Sequence, residues 1–172
     1  SAQKPVPVPD GVLLELLSGD SNALLTAATT ESSDGFTVLR STTTKNGYYL
    51  FSGLPAGNYR LRLAASNFAG NGVLANYGPS TGVDQEIDPN NNGDQNDNGL
   101  DEGTPSVSGI LSGLITLGDN EPTGEPTTAI GQPGDDGRGT LDAHANLTID
   151  FALMPGKPTA AKQTVYLPVI RR

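Results

Sequence analysis

Lys45–Ala64, "KNGYYLFSGLPAGNYRLRLA", is the stretch that decides the fold. Asn46-Gly47 is a turn signal, Tyr48–Ser52 reads as a strand, and Gly53–Gly57 makes a tight loop. Beyond it Tyr59, Leu61 and Leu63 alternate with Arg60 and Arg62. A period of two with arginines on one side describes an antiparallel strand with one face in a core and one toward water.

Similar signals recur along the chain. Gly11–Leu17 ("GVLLELL") is a short apolar run, and the turn formers Pro9-Asp10-Gly11 and Ser18-Gly19-Asp20 on its flanks favour strand over helix. Phe36–Thr44 is rich in β-branched residues, and Ser108–Gly118 ("SGILSGLITLG") is a further apolar run. In Ala145–Pro155, Leu147, Ile149, Phe151 and Leu153 fall on one face, with Thr148, Asp150, Ala152 and Met154 on the other. Glu15 and Asp150 are expected to point outward. No long helical period appears, so about seven short strands predict an all-β antiparallel sandwich with long acidic loops.

Composition sets limits. The 172 residues suit one domain, and 22 glycines with 13 prolines fit many turns between short strands. A formal charge of −9 disfavours nucleic acid and anionic membrane as partners. With no cysteine and the single histidine His144, disulfides and thiolate metal sites are excluded and a zinc centre is not expected. No stretch has the apolar length of a membrane span. Ser1 in place of an initiator Met suggests a processed, exported protein.

Four regions follow: an extended Pro-Val leader at 1–10, the sandwich at 11–155, a linker at 156–163, and a last strand at 164–172. That strand, "TVYLPVIRR", alternates Val165, Leu167 and Val169 with Tyr166, Pro168 and Ile170, so both faces are apolar. It needs a partner, in its own sandwich or in a neighbouring subunit.

The acidic loop at 84–103 contains "DPNNNGDQNDNGLDEG", Asp88–Gly103. Asp88-x-Asn90-x-Asn92-Gly93 and Asp94-x-Asn96-x-Asn98-Gly99 both match the opening of a calcium loop, with oxygens at alternate positions and Gly at the bend. Gly99 and Pro105 occupy the twelfth positions where an EF-hand carries Glu, so these are not EF-hands. Asp97, Asp101 and Glu102 supply further carboxylates, and Asp84 precedes the run. Such crowded acids repel one another without a cation. Ca2+ is therefore the expected ion, held by a set drawn from Asp84, Asp88, Asn90, Asn92, Asp94, Asn96, Asp97, Asn98, Asp101 and Glu102; the competing picture is a solvated acidic linker. Magnesium fits less well, since it prefers water and a strict octahedron. Gly134–Gly139 ("GDDGRG") reads as a surface turn, and the Asn146-Leu147-Thr148 sequon lies inside an expected strand.

"TTTKNGYYLFSGLPAGNYRLRL" closely resembles the second half of the B-type repeat of SdrD-like surface adhesins, which are prealbumin-like, Ig-like sandwiches related to the collagen-adhesin B domain. "ASNFAGNGVLANYGPSTG", "SGLITLGDNEPTGE" and "NLTIDFAL" resemble an elaborated version found in large exported bacterial proteins, so the likeness spans Asp10 to Pro155. "VYLPVIRR" is similar to the endings of exported bacterial proteins. The resemblance implies a calcium-stabilised, extracellular, non-enzymatic module of stalks, adhesins or surface layers. This chain departs from it in having no Trp and in opening with "KPVPVP", which implies a shortened or missing first strand. No Lys lies in the first core strand, so the Lys–Asn isopeptide bond of related pilin modules is not carried over.

The expected function is a secreted structural protein of the bacterial cell surface, a subunit of an extracellular filament or sheath. Head-to-tail β-strand addition between identical subunits would build the homopolymer. The alternative is an adhesin or carbohydrate-binding module recognising surface glycans, with Phe68 and Tyr77 as its candidate loop aromatics. No nucleophile–base pairing, phosphate loop or transition-metal cluster points to an enzyme.

Overall fold

The computed structural model describes residues 9–25, 41–44, 49, 51, 54–80, 87–90, 97–101, 103–118, 145–146, 148–155 and 170–171. They form nine short strands, one 3-10 turn at Ala65–Asn67 and one helical turn, α1, at Pro105–Ser108. All strand pairs are antiparallel. The described part of the protein is thus all-β.

The centre is β3 (Gly57–Leu63), the strand legible in the opening stretch. Tyr59, Leu61 and Leu63 are buried, while Arg60 and Arg62 lie on the half-covered face. On one side β3 pairs with β1 (Leu13–Ser18), placing Glu15 opposite Arg62. Arg62 Nε meets Glu15 Oε2 at 2.7 Å. A half-exposed cross-strand pair of this kind stabilises by about 0.5 kcal/mol. β2 (Ser41–Thr43) adds to the far edge of β1.

The other side of β3 is shared. β6 (Ile115–Leu117) covers its first half and β5 (Ile110–Leu111) its second. The expected strand over Ser108–Gly118 is therefore one strand interrupted at Ser112–Leu114. Ser112 spans the break: its amide donates to Leu61 O at 2.8 Å, and its hydroxyl accepts from Leu61 N at 2.9 Å. Beyond Ser112 the main chain pairs elsewhere: Gly113 N donates to Asn98 O, and Leu114 O accepts from Asn90 Nδ2.

β4 (Tyr77–Pro79) and β8 (Leu153–Pro155) make a second sheet, and β7 (Ala145–Asn146) and β9 (Ile170–Arg171) a third. One apolar cluster joins Leu14, Leu16, Leu61, Leu63, Ile110, Ile115 and Leu117 from the large sheet to Phe51, Leu74, Ile149, Phe151 and Leu153. Burying such side chains supplies the main stabilisation, about 2 kcal/mol each.

Two expectations need correction. Ala145–Pro155 is not one continuous strand: β7 and β8 flank a described segment, 148–152, that belongs to neither. Its polar face is not solvent-facing either. Thr148, Asp150 and Ala152 are as deeply buried as Ile149 and Phe151, because residues of the acidic run lie over them. Asp150 accordingly does not point outward. Residues 1–8, 36–40, 48, 119–144 and 156–169 lie outside the described residues, and with them most of the leader, Gly134–Gly139, His144, the linker and most of the last strand.

Candidate site: the neck of the acidic loop

Both ends of the acidic run are sewn to the β frame, and they meet at Gly113. At the entry, Asp88 Oδ1 accepts from the backbone and side-chain nitrogens of Asn90, both at 3.0 Å, closing an Asx turn. Asn90 then turns its carboxamide onto β6. Its Nδ2 donates to Leu114 O at 2.8 Å and its Oδ1 accepts from Thr116 N at 2.8 Å. A carboxamide carries a donor and an acceptor spaced as in a peptide group, so Asn90 stands in for a neighbouring strand. Pro89 O accepts from Asn146 Nδ2 at 2.7 Å, which ties the entry to β7 as well.

At the exit, Asp97 is 1% exposed. Its Oδ1 accepts from Gly99 N at 2.9 Å and Ala152 N at 3.0 Å, and its Oδ2 accepts from the Ser80 hydroxyl at 2.9 Å. Asn98 pairs with Asp150 in ladder fashion, its amide donating to Asp150 O and its Oδ1 accepting from Asp150 N. Gly99 bridges to Ser112, and Leu100 N donates to Leu111 O at 2.7 Å. The break in β5–β6 thus receives the exit of the loop.

Gly113 closes the neck. Its amide donates to Asn98 O at 3.4 Å, and an added Cβ would lie 1.9 Å from Ile87 O and 2.8 Å from Pro89 Cδ. Entry and exit therefore approach each other across a residue that has no room for a side chain. No glycine-specific backbone angle is involved; close packing of main chain is the reason.

Electrostatics at the exit are unfavourable to charge. Burial pushes the Asp97 carboxyl up, against the hydrogen bonds from Ala152, Gly99 and Ser80, and the nearby Asp101 carboxylate pushes it the same way. Tyr49, fully buried and donating to Ile149 O at 2.8 Å, has its phenol raised well above the usual value, first by burial and then by the charge of Asp150. A positive charge near Asp97 and Asp101 would offset this.

Of the expected ion ligands, Asp88, Asn90, Asp97, Asn98 and Asp101 are described; Asp84, Asn92, Asp94, Asn96 and Glu102 lie outside the described residues. Asp88 and Asp101 are exposed at the two ends of the run. Asn90, Asp97 and Asn98 each spend side-chain oxygens on backbone amides of the frame. Among the described residues, no three of His, Cys, Asp or Glu converge on a point. Sequence reading missed Ser80, Gly113 and Asn146, which hold the neck; only the Ser112-Gly113 pair inside an apolar run hinted at a break.

Asn146 is buried, and the nitrogen that glycosylation would modify is bonded to Pro89 O. Phe68 is buried in the core and Tyr77 packs against it, so neither is a free aromatic platform. Among the described residues, no helix is long and apolar enough to cross a membrane.

These features define an all-β protein with a closed-necked acidic loop. No protein-family model, curated protein or solved structure matches the chain significantly.

Proposed function

We propose that this chain is an extracellular structural protein of the bacterial surface, a Ca2+-stabilised subunit of a filament or sheath that grows head to tail by β-strand addition. The frame is a prealbumin-like sandwich, as the SdrD B-like resemblance implies. That reading is supported by the apolar cluster that the five-stranded sheet shares with Phe151 and with Leu153 of β8.

The observation that carries the calcium reading is the neck. A run this acidic is drawn in at both ends and laid against a buried carboxylate, Asp97, which has been stripped of water. Holding like charges together in that way is unfavourable unless a cation joins them. In this assignment Asn90, Asp97 and Asn98 fix the neck, while Asp88, Asp101 and the acids and amides between and beside them face the ion. Calcium suits a set of carboxylate, amide and carbonyl oxygens. The role is mechanical rather than enzymatic.

Thermal unfolding tests the ion directly. With 1 mM-range calcium in large excess over its dissociation constant, the melting temperature rises relative to chelator, since an ion bound at a hundred times its dissociation constant adds about 2.7 kcal/mol. Identical melting with and without chelator sinks the calcium reading. Electron microscopy of the calcium-loaded chain tests the filament reading separately, and persistent monomers at high concentration overturn it.

A further inference from the structure

Asparagine followed by glycine is a point at which a chain readily modifies itself, because an amide with no side chain beside it can reach the carboxamide carbon of the residue before. Two such pairs lie among the described residues, Asn71-Gly72 and Asn98-Gly99, in opposite settings. Asn71 is exposed in the loop before β4, and Gly72 N closes only a local turn, donating to Ala69 O at 2.8 Å. Asn98 is 1% exposed, and the groups that would react are held by the neck. Gly99 N donates to Asp97 Oδ1 at 2.9 Å, and Asn98 Oδ1 accepts from Asp150 N at 2.9 Å. The main chain of Asn98 is fixed as well, its amide donating to Asp150 O at 3.0 Å and its carbonyl accepting from Gly113 N at 3.4 Å. Glycine at 99 answers to packing: an added Cβ would lie 3.0 Å from both Asp97 Oδ1 and Phe151 Cδ1. The neck therefore uses a chemically labile pair and keeps it unreactive by holding it.

We propose that Asn98 is a site of spontaneous deamidation gated by the neck: it reacts only when the exit of the acidic loop lifts from the frame, and once it has reacted the neck does not close again. In the open state the Asn98 carboxamide rotates off Asp150 N and Gly99 N leaves Asp97. Gly99 N then bonds to Asn98 Cγ, and the carboxamide nitrogen departs as ammonia, taking up the proton that the Gly99 amide loses. Water opens the resulting succinimide at one carbonyl or the other, giving aspartate or isoaspartate. Either product carries a new carboxylate, which re-closure would bury between Asp97 and Asp150, each 1% exposed. The isoaspartate form also inserts a carbon into the main chain that pairs with Asp150 and Gly113, so the ladder loses its spacing. Reaction at Asn98 thus turns a transient local opening into a permanent one, at a rate set by how often the neck opens. The gate stands on the geometry of the neck alone and does not require the calcium assignment.

The full chain is aged at mildly alkaline pH, folded and in urea, and deamidation at Asn71 and Asn98 is followed separately by mass spectrometry with fragmentation. In urea the two pairs are expected to react at similar rates. In the folded chain Asn98 is expected to react about a hundredfold more slowly than in urea, the factor for about three hydrogen bonds opening together, and more slowly than Asn71. An Asn98 rate that is equal in the two states overturns the gate. A faster rate in the folded chain also overturns it, since Asp97 would then be drawing the proton from Gly99 N. Gly113→Ala loosens the neck without touching the reacting atoms; it is expected to raise the Asn98 rate and leave Asn71 unchanged, and an unchanged Asn98 rate counts against the proposal. Chain modified at Asn98, separated by ion exchange, is expected to lose hydrogen-exchange protection at Leu100 and Ala152, whose amides the closed neck holds; retained protection refutes the one-way opening. A calcium arm separates the two readings: the ion is expected to slow Asn98 relative to chelator. Equal rates in calcium and chelator, both far below the rate in urea, overturn the ion's hold on the neck and leave the gate standing.

Discussion

Asparagine side chains do the work of backbone at several points among the described residues. Asn67 Oδ1 accepts from Leu13 N and its Nδ2 donates to Leu13 O, Asn90 holds Leu114 O and Thr116 N, and Asn98 Oδ1 takes Asp150 N. Replacing Asn90 by Asp keeps the shape and turns the Leu114 O contact into a repulsion. Asn90→Asp is expected to destabilise the chain by about 2 kcal/mol in chelator, measured by urea unfolding; an unchanged midpoint would show that the edge contact carries nothing. Asp97 is the acidic counterpart. Asp97→Ala leaves Gly99 N, Ala152 N and the Ser80 hydroxyl without their acceptor, at a cost of about 3 kcal/mol. Its ionisation adds a pH dependence of definite sign. Because the folded carboxyl titrates above its ordinary value, folding favours the protonated form. The contribution is fully present below the ordinary carboxylate range and is lost as pH rises through the raised value. In chelator, the stability difference between wild type and Asp97→Asn therefore moves toward wild type on acidification across that window; movement in the opposite direction contradicts the buried-carboxylate account.

At the scale of elements, the interruption between β5 and β6 matters most. Gly113→Ala places a methyl against Ile87 O, which as main chain yields little. A loss of about 3 kcal/mol and a weaker calcium response in melting are expected; a neutral substitution would mean that entry and exit of the loop do not touch. β3 was fully legible because its alternation of aromatic or leucine with arginine is a one-dimensional pattern with a two-residue period. β1 was legible from its flanking turn residues, although its polar position, Glu15, is satisfied by Arg62 rather than left to water. The 148–152 segment misled for a physical reason: alternation reports which face meets the core, and it is silent when a distant loop covers the other face. The same limit applies to the asparagines. An Oδ1 that takes a metal and an Oδ1 that takes a backbone amide look alike in composition, and only the fold brings Thr116 N and Asp150 N to Asn90 and Asn98. Gly113 was readable as a break in an apolar run, but its partners, Ile87 and Asn98, lie too far along the chain for any local pattern to link them.

For the whole molecule, core and charge pull in different directions. The core cluster is contiguous, and truncating its central members is costly: Leu61→Ala about 3 kcal/mol and Phe151→Ala about 4 kcal/mol, read from denaturant midpoints. A deficit well under 1 kcal/mol at Phe151 would place it outside the core. The net charge of −9 acts against compaction at low salt, and the run from Asp84 to Glu102 concentrates it. If calcium binds there, stability in chelator should recover partly with added monovalent salt, whereas in calcium it should depend on salt far less. Equal salt dependence in the two conditions would place the repulsion elsewhere.

The closed neck at Gly113 also separates what lies outside it from what lies within. Residues 91–96 are bounded by anchors on both sides, Asp88–Asn90 and Asp97–Gly99, each bonded to the frame independently of them. Doubling the length of such a span costs only about 0.6 kcal/mol in closure entropy. That hexapeptide is thus an exchangeable cassette: a glycine-serine graft in its place should abolish ion sensitivity yet leave the apolar core cluster intact.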